Sequence, residues 1–158
     1  MEGGMQMAEL NLNDLERRIL VLEDIEAIRK LKSKYWRCVD RKLWDEIVEC
    51  FTEDMVLSVL SKLIKGRNAC VQFLKDTLAN TVSAHQGHQA EIEIVNESTA
   101  KATWALNDLL LDIQPGVNFT GFGYYEDEYV KEAGKWKIKR SKVAYYFTQV
   151  VNTWKLSK

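Results

Sequence analysis

Past Ser83 the apolar residues of this chain stop recurring every three or four positions and begin to alternate, and they go on alternating almost to the C-terminus. A period near 3.6 marks a helix packed on one side; a period of two marks a strand with one face buried. Helices therefore come first and antiparallel sheet follows. "QAEIEIV" alternates, "NES" turns the chain, and "TAKATWALNDLLLDI" makes a long strand that ends at Pro115 and Gly116, the only proline marking a loop. "FTGFGYYEDEYVKE" and "KWKIKRSKVAYYFTQV" supply two more long strands, joined at Ala133 and Gly134. In the last strand the apolar parity passes from Trp136 and Ile138 to Val143, Tyr145 and Phe147, which a β-bulge near Arg140 to Lys142 would produce.

In the first half, the spacing of Ile25, Ile28, Leu31, Tyr35 and Val39 predicts a helix, with Glu23, Asp24 and Glu26 near its positive start. Upstream, Leu15, Ile19 and Leu22 form a stripe behind Asn11 or Asn13 as N-cap, so the helix either begins there or follows a break near Glu23. A second helix is expected from about Leu43 to Phe51, burying Trp44, Ile47, Val48 and Phe51. "TED" then turns the chain into a short strand, "MVLSVL"; after Gly66 a third helix, "RNACVQFLKDTLAN", buries Ala69, Phe73, Leu74 and Leu78. N-terminal helices packed in a strongly curved antiparallel sheet make an α+β domain shaped as a cone, with a floor and an open mouth. Pockets with a few convergent polar groups form in such places.

A length of 158 residues, 46% hydrophobic and 28% charged, fits one domain over residues 11–158 behind a flexible tail at 1–10. The 22 basic and 23 acidic side chains nearly cancel, so the electrostatic bias that drives phosphate binding is missing and nucleic acid is not expected as a partner. The basic run "RKLKSKYWR" reads as the solvated face of a helix. No segment approaches ~18 uninterrupted apolar residues and the N-terminus has no apolar run of signal-peptide length, which points to a cytoplasmic protein with no membrane partner. Cys38, Cys50 and Cys70 are odd in number, lie far apart and read as reduced packing residues.

Against this frame, polar residues on apolar faces stand out. Asp108 shares strand parity with Ala102, Trp104, Leu106 and Leu110, so either it faces inward, with hydrogen-bond partners, a proton or a wet cavity, or Leu109 and Leu111 mark the true core face. The two histidines of the chain, His85 and His88, are separated only by Gln86 and Gly87. His88 has the parity of Ile92 and Ile94 and His85 the opposite one; a bulge at Gly87 would bring both to one side. Metal ligation, structural hydrogen bonding and acid–base work all remain open for them, although metal usually needs a third, nearby ligand. Tyr35 lies on the helix stripe and Asp40 near the helix end, about 140 degrees apart around the axis, so they converge only if Asp40 turns at that end. Without more, Tyr35 is core and Asp40 a solvated end residue as readily as they are site residues.

"EDIEAIRKLKSKYWRCVDRKLWDEI", "HQGHQAEIEI", "STAKATWALND" and "YYEDEYVKEAGKWKIK" together resemble the SnoaL-like branch of the nuclear transport factor 2-like (NTF2-like, cystatin-like) superfamily, from about Asp24 to Lys139. Within it the resemblance is nearest to bile acid 7α-dehydratases and more distant to scytalone dehydratases and hexachlorocyclohexane dehydrochlorinases. It implies a catalytic set of Tyr35, Asp40, His85 and Asp108, with His85 as base, Asp40 holding it, and no cofactor and no metal. His88, Trp104 and Tyr145 are expected at the substrate-binding wall. Where the bile acid enzymes place an arginine on the last strand, this chain has Ala144, Tyr145 and Tyr146, so a steroid substrate does not follow.

These residue types suit elimination beside a carbonyl: a dehydratase acting on a largely apolar small molecule, with His85 removing a carbon-bound proton, Tyr35 donating to the enolate oxygen and Asp108 protonating the departing hydroxyl. The same scaffold also supports a double-bond isomerase, a dehydrohalogenase, or a non-catalytic ligand-binding or protein-interaction module. The outer sheet face carries either Phe122, Tyr124 and Val130 or the alternate set Phe119, Tyr125 and Tyr129, which helices inside the cone cannot cover. The resemblance implies that a homotrimer covers it.

Overall fold

A computed structural model describes residues 11–112 and 118–151. The expected tail at 1–10 and the loop at Pro115 and Gly116 lie outside the described residues. Helix α1 (Leu12–Arg41) is continuous. The Asn11 side chain caps it, accepting from the backbone N–H groups of Asn13 and Asp14, so two of the orphan donors at the helix start are satisfied and no break occurs at Glu23. Asp24 is therefore mid-helix rather than near a positive terminus. Its carboxylate accepts from Lys131 Nζ and from Trp136 Nε1, each at 2.8 Å, and pins the helix to the far hairpin of the sheet. At the other end Lys42 turns left-handed (φ 60°) and its N–H closes onto the carbonyls of Cys38 and Val39.

The second helix is shorter than its apolar pattern suggests. Helix α2 (Trp44–Ile47) passes into a 3₁₀ turn (Val48–Cys50), and Phe51 opens strand β1 (Phe51–Val59) instead of closing a helix. Phe51 is 1% exposed and pairs with Ile138 across the sheet, and that burial takes precedence over continuing the helix. Thr52, Glu53 and Asp54 lie inside β1, where the pairing register shifts, and do not form a turn. Left-handed Leu60 and Ser61 then turn the chain into β2 (Lys62–Lys65), a strand that periodicity did not mark. Helix α3 (Arg67–Leu78) buries Cys70, Val71, Leu74 and Leu78; Phe73 is half-buried and Ala69 exposed, so the packed face is rotated from the expected one.

Four long strands follow: β3 (Thr81–Asn96), β4 (Thr99–Asp112), β5 (Asn118–Glu132) and β6 (Lys135–Val151). Among the described residues the strands form one open, curved sheet in the order β2-β1-β6-β5-β4-β3. The pairs are antiparallel except β1 with β6, which is parallel, so the sheet is mixed and not purely antiparallel. No hairpin joins those two strands, so no turn dictates their direction. Left-handed Ala133 and Gly134 form the β5–β6 turn as expected.

Bulges curve the sheet onto α1. In β6 the register skips Lys139 (Glu128 pairs with Arg140, Tyr129 with Ile138) and again Tyr146 (Phe122 pairs with Phe147, Gly123 with Tyr145). The first accounts for the parity change one residue earlier than expected. The second turns Phe147 outward, 49% exposed, away from the face of Val143 and Tyr145. On the concave side Trp36 of α1 stands edge-on to Trp104 with ring centroids 5.3 Å apart and lies 5.9 Å from Tyr125. Gly87 makes this approach possible: a Cβ there would meet the Trp36 indole at 1.8 Å. Its role is close packing, not a bulge.

Candidate active site

Two strand residues facing each other and the end of one helix build the site. His85 on β3 pairs in register with Asp108 on β4, and both side chains point to the concave side. Asp40, in the last turn of α1, reaches β3 from behind His85. His85 Nδ1 lies 2.6 Å from Asp40 Oδ1, and the backbone N–H of His85 donates to both carboxylate oxygens, at 3.2 and 3.0 Å. Ser83 Oγ donates to Asp40 Oδ1 at 2.9 Å and in turn accepts from Lys42 Nζ at 3.0 Å. A carboxylate that accepts from Nδ1–H leaves Nε2 as the unprotonated nitrogen of a neutral imidazole.

The 140-degree separation of Tyr35 and Asp40 is no obstacle, because only Tyr35 lines the pocket and Asp40 supports His85 from outside it. The pocket is half-open, with a volume of about 150 Å³, and is mainly apolar, with Tyr35, His85, Asp108 and Tyr145 making its polar end. Asp108 is 1% exposed. Tyr145 Oη donates to its Oδ2 at 2.7 Å, while Oδ1 is buried with no protein partner. Burial pushes the Asp108 carboxyl above the ordinary carboxylate range, with His85, the Tyr145 hydrogen bond and Lys32 pulling the other way. Burial likewise raises Tyr35 and Tyr145, with nearby aspartates adding to it, so both phenols remain donors at neutral pH.

Tyr145 reaches Asp108 because Gly121, the β5 partner of Asp108, has no side chain: a Cβ there would meet the Tyr145 ring at 2.6 Å. Phe119 holds that ring edge-on, with centroids 5.5 Å apart. The other two residues expected at the wall lie elsewhere. Trp104 is buried in the floor, its Nε1 donating to Tyr129 Oη at 3.1 Å, and does not line the pocket. His88 is exposed on the convex side. The β3 register shifts between His88 and Glu91, with Gln89 at φ 46°, so the bulge follows His88 and reverses the parity inferred from Ile92 and Ile94.

Ser83 and Lys42 escaped the sequence reading, although Ser83 shares inward parity with His85. So did a second polar cluster beneath the pocket. Lys32 lies in the run read as a solvated face, yet it is fully buried, 2.7 Å from Asp127 Oδ2, with Nζ 3.8 Å from the Tyr125 ring centroid. Asp127 also accepts from Tyr129 Oη and Ser141 Oγ, both at 2.7 Å. The missed signal was a lysine four residues after Ile28 and three before Tyr35, on the buried stripe itself.

A broader depression of about 750 Å³ lies on the convex face, with Glu126, Glu128, Arg140 and Lys142 in its lining. Arg140 pairs with Glu128 and Lys142 with Glu126 across strands. Buried titratable groups, Tyr35 and Asp108 among them, lie in the smaller pocket. Among the described residues no three His, Cys, Asp or Glu side chains are grouped to hold a metal, and no helix is long and apolar enough to cross a membrane.

The family model of the SnoaL-like domain matches residues 21–142. A candidate scytalone dehydratase from Novosphingobium aromaticivorans is 22% identical, with a TM-score of 0.79 over 86% of this chain and 93% of its own. A hexachlorocyclohexane dehydrochlorinase from Novosphingobium barchaimii is 15% identical, with a TM-score of 0.80 over 89% and 99%. An NTF2-like protein with a cystatin-like fold from Novosphingobium aromaticivorans is 22% identical, with a TM-score of 0.74 over 88% and 92%. At these identities the likeness shows a shared fold.

Proposed function

The chain belongs to the SnoaL-like domain family, and on that footing we propose that it is a cofactor-independent lyase, a dehydratase that removes a proton and a hydroxyl from a largely apolar small molecule bearing a carbonyl. The observation that carries this reading is the pairing of a supported base with a buried acid: His85 Nδ1 held at 2.6 Å by Asp40, and across the strand pair Asp108, which lines the same pocket.

His85 Nε2 takes the proton from the carbon next to the carbonyl, and Asp40 stabilises the imidazolium that forms. The electron pair of the C–H bond moves toward the carbonyl oxygen, where Tyr35 donates a hydrogen bond. As that pair returns to make the carbon–carbon double bond, the C–O bond breaks and Asp108 gives its proton to the departing hydroxyl, which leaves as water. Tyr145, donating to Oδ2, leaves Oδ1 as the oxygen that carries the Asp108 proton. The imidazolium proton returns to Asp108 through solvent and restores both groups.

The test is a panel of β-hydroxy ketones, followed by mass loss of water and by absorbance of the conjugated product. The His85→Ala variant should lose turnover by roughly 10²–10⁴-fold, and Asp40→Asn should be impaired with folding retained. Equal turnover in His85→Ala and the parent would remove His85 from the mechanism. Double-bond migration without water loss would reassign the site to an isomerase. We also propose that the protein assembles as a homotrimer through its convex sheet face, where the Phe122–Phe147 and Tyr124–Tyr146 ring pairs, each with centroids 5.9 Å apart, form an exposed aromatic patch.

A further inference from the structure

We infer that the pocket selects neutral single-ring alcohols and hydroxy ketones, and rejects both carboxylates and fused four-ring skeletons. This deepens the lyase reading and rests on its assignment of His85 and Asp108 to the polar end of the pocket.

Size gives the first limit. A void of about 150 Å³ is the volume that, when lined by aliphatic and aromatic side chains, accommodates one benzene ring. Leu57, Leu74, Leu78, Leu110 and Val143 line this one, so a ring, not a flexible polar chain, fits its body. The walls are fixed from behind: Leu74 and Leu78 by α3 and Leu57 by the buried part of β1. A four-ring skeleton would leave most of its length outside.

Charge gives the second limit. The described residues that line the pocket include no lysine or arginine. The nearest buried cation, Lys32, is committed to Asp127 at 2.7 Å, and Lys42 is committed to Ser83 behind Asp40. A ligand carboxylate at the polar end would sit beside Asp108 with no cation of the described lining to pair with, and a buried charge without a partner is heavily disfavoured.

Hydrogen bonding gives the third limit. The Asp108 carboxyl lines the pocket beside Tyr145, and a ligand hydroxyl is the neutral group that suits this end. Tyr35 Oη offers a donor for a carbonyl on the same ring.

The experiment titrates the full-length protein at pH 8 with 3-hydroxycyclohexanone, benzyl alcohol, benzoate and testosterone, following the imidazole resonances of His85 by NMR. The two neutral single-ring probes should shift His85 saturably, benzoate should bind at least about tenfold more weakly than benzyl alcohol, and testosterone should leave His85 unmoved. The Leu110→Trp variant, which fills the pocket, should lose the response to the neutral probes. Benzoate binding at pH 8 as tightly as benzyl alcohol, testosterone shifting His85, no neutral probe binding, or a response that survives Leu110→Trp would each overturn the inference. Binding of 3-hydroxycyclohexanone without loss of water would instead count against its being turned over and leave the ligand class standing, so the two readings fail separately.

Discussion

Asp108 carries a stability cost that its proposed role explains. Its folded pKa is raised by burial. Protonation therefore favours the folded state: the contribution is full below the unfolded value near pH ~3.9, and it is lost as pH rises through the raised folded value. Asparagine keeps the shape and the acceptor for Tyr145 but cannot ionise. Asp108→Asn should therefore gain thermal stability relative to the parent as pH goes from 4 to 8, by about 2–4 °C for each kcal/mol removed at this chain length, while losing dehydration. Melting curves at several pH values check this, and a difference that does not change with pH would contradict the buried-acid account. Lys32 makes the opposite prediction. Its burial pulls its own pKa down and Asp127 holds it up. Removing one partner strands the other, so Lys32→Met should cost about 3–5 kcal/mol in denaturant unfolding, and a loss near zero would contradict a buried pair that the fold depends on.

At the scale of elements, what the sequence revealed and what it hid follow from how far each pattern reaches. Strand parity is local; of the two faces it left open for Asp108, the residue takes the inner face of β4 with Ala102, Trp104 and Leu106. Parity fails wherever a bulge lacks a sequence mark, and Gln89 is such a place: an ordinary polar residue at positive φ sends His88 outward. Helix periodicity was equally local, so it found the stripe of α1 but discounted Lys32, whose burial depends on Asp127 almost a hundred positions later. Asp127 sits between buried Tyr125 and Tyr129 on β5, the same signal as Asp108, and no reading of one strand separates an ion-paired acid from a proton donor. The glycines were silent for a similar reason, since each leaves room for a side chain from another element. That yields two contrasting substitutions. Gly87→Ala drives a Cβ into Trp36 and should destabilise the fold by about 1–3 kcal/mol. Gly121→Ala meets the edges of the Tyr145 and Phe119 rings, so it should displace Tyr145 from Asp108 and reduce activity more than stability. Urea curves and turnover measured on both variants separate the two effects, and the reverse ranking would refute the assignment of roles.

On the proposed reading, the whole molecule keeps chemistry on the concave face of its sheet and assembly on the convex one. Tyr125 and Tyr129, one of the two aromatic sets compatible with an outer patch, are 1% exposed on the concave side, and Phe119 packs in the pocket. Phe122 and Tyr124 belong to the convex side, where Tyr146 is 71% and Phe147 49% exposed. Beside this patch run the cross-strand pairs of Glu126 with Lys142 and Glu128 with Arg140, so the convex face joins an apolar centre to a charged rim, the usual anatomy of a specific interface. Light scattering at micromolar concentration should give three chains per particle; a monomer would overturn the assembly. Phe147→Glu, which puts a charge into the aromatic centre, should release single chains. The pocket residues named here all come from one chain and face the other way, so the released chain should keep the His85–Asp40 hydrogen bond, visible as a downfield imidazole N–H resonance. Loss of that resonance on dissociation would mean that the partner chain, and not the helix end alone, holds Asp40 against His85.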